Sequence, residues 1–123
     1  MERIEESRIN IISQDTRIDG KSHFTDVSRV YGTLTGEVHA VEGSKLIIGE
    51  TGVIEGVVRA DTLFVDGFIR GDVYAKTLVQ ISGTGRVIGN IYAGKLKLEF
   101  GSYFEGRCRM EEPITADLQP APA

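Results

Sequence analysis

Tryptophan is absent from this chain of 123 residues, histidine occurs twice and cysteine once. The lone cysteine, Cys108, excludes an internal disulfide, and two imidazoles, His23 and His39, exclude a metal site of three histidines within the chain. Neither histidine has a cysteine or carboxylate partner at ligand spacing, so no metal and no cofactor are expected. There is no run of 18 apolar residues and no charged-then-apolar N-terminal leader, which leaves a soluble cytoplasmic protein as the expectation. Basic residues are outnumbered, 14 against 18 acidic ones, for a net charge of -4. Nucleic-acid binding draws its affinity from clustered Lys and Arg, so a nucleic-acid partner is not expected either. The three prolines all fall in residues 113–123, a stretch that reads as a disordered tail.

Glycine, by contrast, is plentiful, and it recurs. Gly36-Glu-Val38-His-Ala40, Gly56-Val-Val58-Arg-Ala60, Gly71-Asp-Val73-Tyr-Ala75, Gly89-Asn-Ile91-Tyr-Ala93 and Gly106-Arg-Cys108-Arg-Met110 share one pattern, at intervals of 20, 15, 18 and 17 residues. Two positions before each glycine stand Leu34, Ile54, Ile69, Val87 and Phe104. Apolar residues therefore alternate with polar ones, the period-2 mark of a strand with one buried face. Glu37, His39, Arg59, Asp72, Asn90, Arg107 and Arg109 occupy the outward positions, with Val57, Tyr74 and Tyr92 as exceptions. A further strand follows a polar corner in each unit: Leu46 to Ile48, Leu63 to Val65, Leu78 to Ile81 and Leu96 to Leu98.

Short strands joined by glycine corners, with no helical period, exclude an alternating strand-helix fold. Unit follows unit in the same direction, so each strand stacks in parallel on its counterpart one turn later, and the product is an all-β, single-stranded parallel β-helix of five to six windings. The expected organisation is a flexible tail over residues 1–17, the β-helix over 18–112 and the disordered tail over 113–123. Three irregularities are accommodated. Residues 42–44 leave as a surface loop, Gln80 sits in a bulge with Ile81 recovering the inward phase, and the first winding is degenerate, with Ile18 and Phe24 fitting only after a one-residue shift.

Candidate chemistry is sparse. Residues 15–22 and Gly89 to Leu96 are near-misses to a phosphate loop, but the first lacks the opening glycine and the second has Leu96 where a magnesium-binding hydroxyl is needed. His39 falls outward beside Glu37 and reads as part of a solvated surface pair. Cys108 takes an inward position filled elsewhere by Val or Ile, where cysteine acts as a small hydrophobe. The C-terminal winding differs in kind: Phe104 and Met110 are larger than their counterparts, and Tyr103 and Phe100 lie close by. This cluster is either a plug that fills the terminal core or a surface for self-association, because an apolar rod end must be covered or used.

The succession Leu-Ile-Ile-Gly-Glu-Thr-Gly-Val-Ile-Glu-Gly-Val-Val-Arg-Ala-Asp-Thr-Leu-Phe-Val-Asp-Gly-Phe-Ile-Arg-Gly-Asp-Val-Tyr-Ala over residues 46–75, and the closing Tyr103-Phe-Glu-Gly106-Arg-Cys-Arg-Met110, resemble the bactofilins, bacterial polymer-forming cytoskeletal proteins. The resemblance implies a right-handed coil that joins like end to like end into non-polar filaments without nucleotide. It also implies a scaffold for cell-wall enzymes or other localised machinery. Phe104, Tyr103, Phe100, Cys108 and Met110 are then the polymer contact. Several members attach to the inner membrane through an N-terminal tail, which here holds Ile4, Ile9, Ile11 and Ile12, the expected membrane contact.

Two other functions compete. A left-handed β-helix acyltransferase also uses about 18 residues per turn, and residues 48–65 read as hexads. The 15-residue step to Gly71 breaks that rule, and no long loop with a histidine is present. A monomeric binding module would use the outward ladder of Arg59, Tyr74 and Tyr92.

Overall fold

The computed structural model describes residues 9–110, and among them every regular element is a strand. Each winding has three sides. Side one runs through the first halves of β2 (Arg17–Phe24) and β4 (Thr33–Ala40), the starts of β6 (Val53–Val65) and β7 (Phe68–Ile81), then β8 (Arg86–Ile88) and β11 (Tyr103–Glu105). Side two continues through the same long strands into β9 (Ile91–Ala93) and β12 (Cys108–Met110). Side three comprises β1 (Ile9–Ile12), β3 (Val27–Val30), β5 (Lys45–Ile48), the ends of β6 and β7, and β10 (Leu96–Leu98). Every pairing is parallel and joins a strand to its counterpart one turn on. The chain therefore winds as a β-solenoid of about six turns. Rungs about 4.8 Å apart make it roughly 25 Å tall.

The alternation read from the sequence decides which side chains fill the bore. Leu34, Ile54, Ile69 and Val87 form one inward column, Val38, Val58, Val73 and Ile91 a second, and Leu46, Leu63 and Val79 a third, nearly all at 0% exposure. Each such side chain contributes about 1.5–3 kcal/mol by leaving water. Between sides one and two the chain turns at a stacked column of glycines: Gly20, Gly36, Gly56, Gly71, Gly89 and Gly106, with φ from +109° to +143°. A Cβ on Gly71 would lie 1.7 Å from the carbonyl oxygen of Gly56, so only glycine lets the rungs approach at this corner.

Several sequence expectations are corrected. Gly20 belongs to the glycine column, and Ile18 pairs with Leu34, Ser22 with Val38 and Phe24 with Ala40, so the first full winding is in register and needs no shift. Its departure is one of composition, since Ser22 and Ser28 stand where later windings have Val and Leu. The extra residue near Gln80 is taken up earlier, at Lys76-Thr77, where the register with Ala60 to Thr62 slips. Val79 and Ile81 are both inward and fully buried, and Gln80 is a regular outward residue. An insertion in a solvated corner leaves the alternation intact, whereas one inside the strand would turn apolar side chains outward. Of the loop at 42–44, Glu42 and Gly43 are exposed, but Ser44 is 3% exposed and its hydroxyl donates to the Val41 carbonyl.

Winding also begins earlier than residue 18. Ile9 to Ile12 pair with Val27 to Val30, and the Ile12 side chain packs against the core, so part of the segment assigned to the tail is the first rung of side three. Residues 1–8 and 111–123, including most of the two expected tails, lie outside the described residues.

Candidate polymerisation surfaces at the ends of the rod

A solenoid leaves one edge of each terminal strand without a neighbour. At the C-terminal end β10, β11 and β12 pair only downward, with β7, β8 and β9, and at the other end β1 and β2 pair only with β3 and β4. Each end thus presents a row of N–H and C=O groups that no described strand satisfies, a template for further pairing.

The two ends differ in what fills the bore. At the C-terminal end the inward columns finish in Leu96, Leu98, Phe104, Cys108 and Met110. Leu96 and Phe104 are partly buried against the core, whereas Leu98 is 52% and Met110 46% exposed. Cys108 is exposed as well, although its neighbours withdraw enough water to push the thiol up from its ordinary value. At the N-terminal end the same columns begin with Asn10, Ile12, Ile18, Ser22 and Phe24. The Asn10 amide donates to the Thr25 carbonyl at 3.0 Å and to the Ser28 hydroxyl at 3.3 Å, so this end carries a hydrogen-bonded polar cluster. One terminus is apolar and the other mixed.

Of the five residues expected at the contact, Phe104, Cys108 and Met110 converge on the bore. Tyr103 instead points outward along side one, with its hydroxyl donating to Glu105 at 2.6 Å and the Arg86 guanidinium 5.7 Å from its ring. The Glu105 carboxylate raises the Tyr103 phenol above its ordinary value. Phe100 stands fully exposed at the corner between sides three and one. Leu96 and Leu98 were missed because they precede Phe104 in the chain; in a parallel coil nothing later covers side three, so residues several positions back also form the end surface.

Of the expected membrane residues, the two whose side chains are described face opposite ways. Ile11 is 58% exposed on the outer surface and Ile12 faces the core, as alternate strand positions must. Ile4 and the Ile9 side chain lie outside the described residues. No helix among the described residues is long and apolar enough to cross a membrane. His39 does not pair with Glu37; its ring lies 5.3 Å from that of His23. Among the described residues no three His, Cys, Asp or Glu side chains converge as a metal site would require. The phosphate-loop near-misses fall in strands and corners, with no helix to follow either.

A rod of stacked parallel rungs, its two ends filled unlike and left unpaired by any other described strand, defines a β-solenoid protein. The family profile of the bactofilins, described as polymer-forming cytoskeletal, matches residues 10–109, and the chain belongs to this family. Bactofilins are structural cytoskeletal proteins rather than enzymes, which does not favour the acyltransferase reading. Similar proteins include Bactofilin BacP of Myxococcus xanthus, 30% identical over 104 residues, covering 85% of this chain and 39% of BacP. Bactofilin BacO of the same organism is 25% identical over 101 residues, covering 82% of this chain and 79% of BacO. No solved structure matches the chain.

Proposed function

We propose that this chain polymerises by joining rods at like ends, C-terminal to C-terminal and N-terminal to N-terminal, into non-polar filaments that need no nucleotide. The observation that carries this reading is the unlike filling of the two ends. Meeting head to tail with the columns continued would set Leu96 against Asn10 and Cys108 against Ser22, stranding polar groups against apolar side chains. Like-to-like contacts bury the five apolar side chains of one end against their symmetry mates and let the polar cluster of the other end find its own hydrogen-bond partners. Each is an isologous contact, and two isologous contacts at opposite ends propagate a linear polymer. Such a filament acts as a scaffold for cell-envelope or cell-shape machinery. Its clients are cell-wall enzymes or other localised proteins, and its place is the cytoplasmic side of the inner membrane.

Phe104→Arg tests the reading. Placing a guanidinium in a dry joint strands a charge, which costs several kcal/mol. The purified variant keeps a β-rich circular dichroism spectrum but sediments as monomers or N-terminally joined dimers, while the parent forms filaments by electron microscopy without nucleotide or metal. Parent-like filaments from the variant would clear the C-terminal end of this role. The left-handed enzyme reading instead expects compact trimers from the parent, and the binding-module reading expects single rods.

A further inference from the structure

The outward position three residues after each corner glycine forms one column down side two: His23, His39, Arg59, Tyr74, Tyr92 and Arg109. Rungs about 4.8 Å apart bring successive members to stacking distance. The Arg59 guanidinium lies 4.6 Å from the centre of the Tyr74 ring, and Tyr74 and Tyr92 stack at 4.8 Å with their planes 7° apart. Both tyrosines are half-buried, and neither phenol is hydrogen-bonded among the described residues. Arg59, Arg107 and Arg109 have no ion-pair partner among the described residues. Beside this ladder, at the corner between sides two and three, runs a shallow groove of about 340 Å³ floored by Ala60 and Ala75. Its own charges are engaged: Glu42 with Lys76, and Asp61 with the Thr77 hydroxyl and the Gly43 amide. A small apolar floor, tyrosine walls and spare guanidinium groups suit an extended acidic chain containing proline.

Such a chain is tethered at the top of the ladder. Residues 111–123, Glu-Glu-Pro-Ile-Thr-Ala-Asp-Leu-Gln-Pro-Ala-Pro-Ala, lie outside the described residues and follow Met110 directly, where β12 reaches that same corner. They hold Glu111, Glu112 and Asp117, three prolines and no basic residue. Extended as polyproline II at roughly 3.1 Å per residue they span about 40 Å. The four rungs from Arg109 down to His39 need only about 19 Å. The geometry points to docking of residues 111–123 along this ladder of their own chain, with Glu111 and Glu112 beside Arg107 and Arg109 and the apolar residues against Tyr92 and Tyr74. Tethering gives the segment an effective concentration on the order of millimolar, so a weak intrinsic affinity suffices. This inference concerns the flank of the rod and does not depend on how the ends join.

Leu118→Trp in the whole chain supplies a lone tryptophan whose acrylamide quenching tests the docking. The expected quenching constant is about threefold below that of the same residue in a synthetic 111–123 peptide, as for a segment docked about two-thirds of the time. It is independent of protein concentration and returns to the peptide value in the Tyr74→Ala/Tyr92→Ala and Glu111→Lys/Glu112→Lys variants. The second pair alters only residues beyond the rod, so misfolding of the first does not blunt the test. Quenching equal to that of the peptide overturns the proposal. Shielding that survives Glu111→Lys/Glu112→Lys overturns it too, as does shielding that grows with protein concentration, which would assign the segment to a neighbouring copy.

Discussion

Gly71→Ala places a methyl group where the chain has no room and where L residues rarely go. Its backbone sits at φ +143°, and the added Cβ would lie 1.7 Å from the Gly56 carbonyl oxygen and 2.7 Å from its carbon. The conformational strain alone amounts to about 1–3 kcal/mol. The clash adds about 1–3 kcal/mol more, because a real contact requires the two rungs to separate by more than an ångström in a close-packed stack. Gly43 is the matched control: its φ is +85° but a Cβ there meets nothing within 4 Å, so Gly43→Ala carries strain without the clash. Denaturant unfolding followed by far-ultraviolet circular dichroism, with both changes in the Phe104→Arg background at one protein concentration so that C-terminal assembly does not contribute and any N-terminal pairing is matched, should show Gly71→Ala less stable by about 4 kcal/mol. For a domain of this size that loss lowers Tm by about 15 °C or more. Gly43→Ala should lose about half as much or less. Equal losses within about 0.5 kcal/mol would refute the claim that close rung-to-rung approach, rather than backbone conformation, demands glycine in this column.

Three further outcomes are expected. Asp61 accepts hydrogen bonds from the Thr77 hydroxyl and the Gly43 amide, in that order of effect, and its carboxyl titrates below the ordinary 3.8. A group depressed in the folded state stabilises above its unfolded pKa and loses that contribution as pH falls through the folded one. Asp61→Asn should therefore lower stability slightly at neutral pH, and the two pH–stability curves should converge below the folded pKa of Asp61; a constant gap down to the acid limit would argue against the bonds. One glycine inserted between Lys76 and Thr77 should cost less than about 1 kcal/mol. The same insertion between Phe64 and Val65 should unfold the rod by reversing the faces, and similar melting curves for the two would undo the register argument. Lastly, modification of Cys108 by a disulfide reagent should slow by about tenfold or more on assembly, since a C-terminal joint covers it; unchanged rates in filaments would mean the joint lies elsewhere.

Much of the architecture was legible because period-2 alternation and recurrent glycines are local signals. The inward identity of Leu34, Val58 or Ile91 follows from counting alone. What escaped was register at irregular places. Gly20 was missed because Ser22 and Phe24 do not look like Val and Ala, and the slip at Lys76-Thr77 was placed too late because Leu78 and Val79 are equally apolar. The end surface was half legible: Phe104, Cys108 and Met110 were visible as oversized or unusual members of their columns. Leu96 and Leu98 gave no signal, since their neighbours in earlier windings are identical in kind and only the absence of a further rung exposes them.

The order of residues by itself determined that the chain is a stack of strands, where its corners fall and which side chains enter the bore, because each depends on spacing within a few residues. Only the coiled structure decided which windings end the rod, that Tyr103 turns away from the bore while Leu98 turns toward it, and that His23, Arg59, Tyr92 and Arg109 share one ladder. Those facts join residues some 15 to 20 positions apart through pairing one turn on, and a non-local contact acquires its geometry only when the whole coil is closed.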